Sequence, residues 1–149
     1  MDVGHRKSTL CLCLDGRVIA TRTVPVAGMA LTRAVMRDRD LLEIEAERAK
    51  LEQGVLGVRQ NAASLEVLDR LAREILRTVG SLESLLPGGM AGLSAVHLLG
   101  GSGRLHRLDE FLSERTGVSV QRLASPGGVF GAALLAGGDP LLFAPAVAL

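Results

Sequence analysis

Residues 1–24 read MDVGHRKSTLCLCLDGRVIATRTV, and the fold turns on how they are read. Ser8 to Leu14 alternate with a period of two, the spacing of a strand. Asp15-Gly16 follows, and then RVIATRTV. Asp-Gly between two such runs predicts a β-hairpin, because glycine accepts the positive φ that a type I′ turn demands. Pro25 ends the second strand. Ahead of the hairpin stand Asp2, Val3 and Gly4, then polar residues from His5 to Thr9. That entry has two open readings: a turn whose N–H groups hold a phosphate, or the ordinary start of a strand.

Beyond the hairpin, Gly28 opens a short helix, MALTRAVMR. From Asp40, DLLEIEAERAKLEQ has helical spacing. Asp40 stands as N-cap with Glu43 three residues on, in the manner of a capping box. Leu41, Ile44 and Leu51 are expected inward, and Gly54 is expected to end the helix. A polar stretch, GVRQNAAS, leads to a longer helix from about Ser64 to Leu86. There Leu65, Leu68, Ala72, Ile75, Val79 and Leu82 recur every three or four residues. Glu66, Asp69, Arg70, Arg73, Glu74 and Arg77 lie on the other face, read as solvated. Glu66 with Arg70, and Asp69 with Arg73, are spaced for weak pairs. Pro87-Gly88-Gly89 stops the helix.

AVHLL then predicts a strand, GGSG a tight loop, Arg104 to Arg115 a helix and VSVQRL another strand. Leu105, Leu108, Phe111 and Leu112 are expected inward, with Gly117 as the C-terminal cap. Strand, loop, helix, strand is a βαβ unit, whose strands run parallel. The last segment, SPGGVFGAALLAGGDPLLFAPAVAL, reads as loops and a final apolar helix. The chain is thus read as one α/β domain over 1–149, with an inserted helical region at about 38–62.

Composition narrows the function. Of 149 residues, 48% are hydrophobic and 22% charged, enough for a core. The net charge is +1, and three Phe are the only aromatics. Both argue against nucleic acid as a partner. Cys11 and Cys13 point to one face of a strand and read as small core residues in a reducing compartment. The three His show no ligand spacing. The polar start is unlike a signal peptide, and no apolar run reaches the roughly 18 residues that span a bilayer.

Three stretches can carry chemistry. The Gly4 turn, with the hydroxyls of Ser8 and Thr9, suits an anion, and Asp2, which would repel the anion directly, could hold a hydrated Mg²⁺ through water. Gly100, Gly101 and Gly103 let backbone approach a ligand at a helix start, or simply make a tight βα turn. Glu47 and Lys50 share a helix face, as ligand contacts or as an exposed ion pair.

In this order the pieces resemble a family. DVGHRKSTLCLCLDGRVIATRTVPVAGMALTRAV resembles the start of the second half of actin-like ATPases of the PilM and FtsA type. AERAK is similar to that family's Ala-Glu-x-x-Lys, and LLGGSGRLHRLDEFLSERTGVSV resembles its glycine segment with the helix and strand after it. FAPAVAL is similar to its closing helix. The Leu-Thr-Arg-Ala and the compact inserted helices favour PilM and its type II secretion relative GspL.

The resemblance implies a ribonuclease-H-like, actin-like α/β domain with a mixed sheet, N-terminal β-hairpin and flanking helices. It assigns Asp2, Gly4 and Thr9 to the second phosphate loop, Glu47 and Lys50 to the adenosine-side helix, and Gly100, Gly101 and Gly103 to the adenosine glycine loop. It implies ATP and Mg²⁺ as ligands, with no catalytic residue and little or no hydrolysis. The expected role is a scaffold of a type IV pilus or type II secretion platform, cytoplasmic and peripheral to the inner membrane. Its partners would be a PilN-like tail of a membrane protein and an assembly motor, with a homodimer left open. The first phosphate loop lies outside this sequence, so the chain reads as a C-terminal half or a degenerate scaffold. His5, Arg6 and Lys7 depart from the small or hydroxyl residues usual after that glycine, and Pro145 interrupts the last helix. The rivals are an FtsA-like division protein and a sugar-kinase-like nucleotide domain.

Overall fold

The two alternating runs pair as expected. The computed structural model describes residues 1–14, 17–85 and 88–123. In it β2 (Ser8–Leu14) and β3 (Arg17–Val24) are antiparallel, with a bulge between Leu12 and Cys13. The Asp15-Gly16 turn, Pro87 and the segment from Ala124 to Leu149 lie outside the described residues. β1 (Asp2–Val3) pairs antiparallel with β2. The βαβ unit forms too: β4 (Val96–Leu98) and β5 (Val120–Arg122) are parallel. The two sets join through β1. The Val3 N–H donates to the Leu99 carbonyl at 2.9 Å, and the Leu99 N–H to the Met1 carbonyl at 2.8 Å. The order is therefore β3-β2-β1-β4-β5, with β4 and β5 parallel to β1. That is a mixed, ribonuclease-H-like sheet.

Helices α1 (Gly28–Arg39), α2 (Glu43–Val58), α3 (Ala62–Ser81) and α4 (Leu108–Thr116) follow the strands. α1 packs on α2 and α3, and α3 on α4. Val3, Leu10 and Val24 of the sheet share one buried cluster with Val35, Ile75 and Leu112 of the helices. Strand parity decides which face that is. Ser8 and Leu10 point to the helices, where the Ser8 hydroxyl donates to the Val26 carbonyl at 2.5 Å. Cys11 and Cys13 therefore point the other way and are exposed, which corrects their reading as core residues.

The inserted region departs most from expectation. Asp40 does not cap α2. It ends α1 in the left-handed conformation, φ 52°. α2 starts at Glu43, and the Glu45 carboxylate accepts the Leu42 N–H at 3.0 Å. The helix buries the face of Ala46 and Lys50 against α1, so Ile44 is 75% exposed and Leu51 57%. Leu41 is half-buried, and the buried positions are Ala46, Lys50, Val55 and Val58. Gly54 ends the first helical stretch as expected, with non-helical φ 60° and ψ −161°, and a second short stretch runs on from this kink to Val58. A Cβ there would lie 2.7 Å from the His106 Cβ, while the Val55 N–H donates to the His106 carbonyl at 3.0 Å. The kink thus locks α2 to the loop before α4.

α3 buries Leu68, Leu71, Ala72, Ile75 and Val79, and it ends at Ser81, short of Leu86. Leu65 and Leu82 are half-buried. Glu74, expected in solvent, is 9% exposed. Its carboxylate lies 3.3 Å from Arg77 and 3.8 Å from Arg22 of β3. Asp69 pairs with Arg115 of α4 at 3.2 Å, across helices. The stretch from Arg104 to Arg115 is broken: Ser102–Arg104 is a 3-10 turn, Arg107 has φ 63°, and α4 begins at Leu108. Leu105, Leu108, Phe111 and Leu112 are buried as expected, and Gly117 caps α4 at φ 68°.

The start of α3 has no cap of its own, because the Asn61 side chain makes no cap bond. Asp38 of α1 supplies one. Its carboxylate accepts the Ala63 N–H at 3.2 Å, the Ser64 N–H at 2.9 Å and the Ser64 hydroxyl at 2.7 Å. Burial acts to raise the Asp38 carboxyl, but these bonds and the charge of Arg37 hold it below its ordinary value. Asp38→Ala is expected to cost about 1 kcal/mol and to lower Tm by about 4 °C. A thermal melt that leaves Tm unchanged would show that α3 starts without this carboxylate.

Candidate functional site

Two turns meet at the end of the sheet. In the first, the Gly4 N–H donates to the Lys7 carbonyl at 3.2 Å. The Gly4 carbonyl then accepts two bonds, from the Gly28 N–H and from the Ser102 hydroxyl, each at 3.0 Å. The His5 carbonyl accepts the Met29 N–H at 2.7 Å. The opening turn is therefore seated on the start of α1 and tied to the glycine turn after β4. A Cβ on Gly28 would overlap the Ser102 hydroxyl. Gly100 has φ 82°, and a Cβ there would overlap the Asp2 carboxylate and lie 2.8 Å from the Val3 carbonyl. Burial pushes the Asp2 carboxyl above its ordinary value, against the pull of the Met1 amine and Lys7.

Behind the turns lies a cavity of about 280 Å³ between the sheet, α1, α2 and α3. Its walls are mostly apolar. The polar side chains in it are His5, Glu47, Lys50 and Ser102. Lys50 is 2% exposed. It donates to the Glu47 carboxylate at 2.7 Å, the Thr32 hydroxyl at 3.0 Å and the Gly28 carbonyl at 3.5 Å. Thr32 in turn donates to the same Glu47 oxygen, Oε2, at 2.5 Å. Burial acts to raise the Glu47 carboxyl. The bonds from Lys50 and Thr32, then the charges of Lys50 and His5, outweigh it and hold the group below its ordinary value. Oε1 takes no hydrogen bond among the described residues and is left to accept one from a ligand.

Of the residues named from sequence, Glu47, Lys50 and Gly101 line the cavity. Asp2, Gly4 and Gly100 form the joint beside it and do not line it. Thr9 is elsewhere: its hydroxyl lies 3.5 Å from that of Thr23, on the exposed side of the sheet. Gly103 is buried against Leu98. Sequence reading passed over Gly28, Thr32 and Ser102. Their signals were the Gly before α1, the Thr one helical turn later, and a hydroxyl inside a glycine run.

The architecture has known counterparts. The PilM chain of the PilM-PilN type IV pilus biogenesis complex superimposes with a TM-score of 0.71 at 26% identity, over 86% of this chain and 35% of that one. This chain has the actin-like fold. The ethanolamine utilization protein EutJ from Carboxydothermus hydrogenoformans gives a TM-score of 0.66 at 20% identity, covering 81% and 42%. MreB 5 of Spiroplasma citri, bound to AMPPNP, gives 0.61 at 16% identity, covering 81% and 46%. These two speak for the actin-like fold alone. The chain thus spans about a third to a half of each of these proteins. No family model and no curated protein matches the sequence. Among the described residues no helix is long and apolar enough to cross a membrane, and no group of three metal-ligating side chains occurs.

Proposed function

We propose that this domain is the nucleotide-cleft half of a PilM-like scaffold, which binds ATP with Mg²⁺ and works in a type IV pilus or type II secretion platform beside the inner membrane. The observation that carries the reading is the joint: Asp2–Gly4 and Gly100–Ser102 meet beside a cavity lined by Glu47 and Lys50. The residues fit the ligand. The N–H groups of His5 and Arg6 make no hydrogen bond among the described residues and are free for a phosphate. Lys7 adds positive charge nearby, and Asp2 would hold a hydrated Mg²⁺ through water. The free oxygen of Glu47 suits a ribose hydroxyl. Lys50 has spent its three protons on Glu47, Thr32 and Gly28, so it acts through Glu47.

Nucleotide here is a conformational ligand, shifting how this half sits against its complement. A PilN-like tail and an assembly motor are the partners that the likeness to PilM suggests. Titration calorimetry with ATP tests the site, with and without Mg²⁺, on the parent chain and on Asp2→Asn. Saturable binding that Mg²⁺ strengthens at least threefold is expected in the parent, and that gain is expected to vanish in Asp2→Asn. A parent chain that takes up no ATP at millimolar concentration would sink the reading.

A further inference from the structure

Thr32 of α1 is 1% exposed and lies behind Glu47, outside the lining of the cavity. A buried helical threonine ordinarily donates to the carbonyl four residues back, and the Gly28 carbonyl stands there at 3.0 Å. A second acceptor is nearer. Oε2 of Glu47, on α2, is 2.5 Å from the Thr32 hydroxyl. One hydroxyl carries one proton, and the charged acceptor at the shorter distance takes it. The Thr32 oxygen in turn accepts from the Lys50 ammonium at 3.0 Å, and Lys50 donates to the same Oε2 at 2.7 Å. Thr32, Lys50 and Glu47 close a ring of three hydrogen bonds, two of which end on one carboxylate oxygen. Two donors on Oε2, one from each helix, stop the carboxylate from turning about its last bond. Oε1 is left without a bond among the described residues.

We propose that Thr32 is a positioning residue of the cleft: its hydroxyl fixes the Glu47 carboxylate, with Oε2 committed to the protein and Oε1 open to the ligand. Lys50 alone would not fix that direction, because an ammonium on a flexible stem pulls as a point charge. The effect on the ligand rests on the nucleotide reading. The effect on the carboxyl needs no ligand. Lys50 and His5 are the charged groups that act on this carboxyl, and the variants below leave both in place.

Carbon-13 NMR titration of the glutamate carboxyls tests the hold without ligand, in the parent, Thr32→Val and Thr32→Ser. Burial acts to raise the Glu47 carboxyl, and the bonds from Lys50 and Thr32 bring it below its ordinary value. Thr32→Val keeps the shape of the side chain and removes the donor, so it is expected to raise the Glu47 titration. Thr32→Ser keeps the donor and is expected to titrate with the parent. Calorimetry with ATP reads the ligand. Thr32→Val is expected to weaken ATP about fivefold, within the net worth of one hydrogen bond, and Thr32→Ser by less than about twofold. The gain from Mg²⁺ is expected to stay in both, because it depends on Asp2, whereas general damage to the site would reduce it as well. A Glu47 titration unmoved in Thr32→Val, or a Thr32→Ser as weak toward ATP as Thr32→Val, overturns the proposal while the nucleotide site stands. A parent that takes up no ATP overturns the nucleotide reading, and the titration alone then upholds or overturns the hold of Thr32 on Glu47. Circular dichroism checks that each variant folds, and Thr32→Ala takes the place of Thr32→Val where valine is not tolerated.

Discussion

Glu47→Gln is expected to cost about 3 kcal/mol of folding stability, the low end for breaking a buried ion pair. The low end applies because the Glu47 side chain is 37% exposed while that of Lys50 is 3% exposed. The substitution removes the counter-charge and leaves a buried ammonium with neutral acceptors alone: the Thr32 hydroxyl, the Gly28 carbonyl and the new amide oxygen. Lys50→Met added to it removes the stranded charge, and the double variant is expected to regain most of the loss. The carboxyl also sets a pH dependence. Its folded value lies below the ordinary 4.5, so the unfolded chain binds the proton more readily. The contribution is therefore present above about pH 4.5 and fades as pH falls through the folded value. Urea melts from pH 7 to pH 3 should show that acid loss in the parent and a flatter curve in Glu47→Gln. A Glu47→Gln variant as stable as the parent at pH 7 would show that the pair is dispensable.

The second large effect is expected at the joint of the two turns. Gly100→Ala is expected to cost about 3 kcal/mol, from a left-handed backbone and an overlap with fixed atoms. The overlapped atoms are the Asp2 carboxylate and the Val3 carbonyl, and both residues belong to the Met1–Val3 stretch whose bonds to His97 and Leu99 join the two halves of the sheet. Gly88 has the same φ of 82°, but the nearest atom to a Cβ there is the Gly92 nitrogen, 3.9 Å away. Gly88→Ala therefore isolates the backbone term, expected at about 1 kcal/mol. Equal losses for the two variants in urea melts would show that the close packing at Gly100 carries no weight. Gly100→Ala is also expected to abolish nucleotide binding under conditions where it remains folded.

Much of this architecture is legible before any coordinates. The alternation in Ser8–Leu14 and the Asp-Gly pair identify the hairpin, because both act over a few residues. AVHLL, GGSG and VSVQRL identify the parallel unit for the same reason. The apolar spacing of α3 places Leu68, Ala72, Ile75 and Val79 inside. The inserted helix was harder. Its pattern is mixed, and the face that packs on α1 is that of Ala46 and Lys50, which leaves Ile44 and Leu51 outward. Lys50 also looks like a surface residue by type, and only its bonds to Thr32 and Gly28 on another helix explain its burial.

Local chemistry, then, was enough to name the strands and the order of the elements. It offered Asp2, Glu47, Lys50 and the glycine runs as candidates beside an ordinary reading of each, and the resemblance made the assignment. Which face of β2 looks inward, where Thr9 points, and that Ser102 and Gly28 clasp one carbonyl were settled only when distant segments packed. Those outcomes rest on contacts between residues separated by up to 98 positions, and no short stretch of chain encodes the partner it will meet.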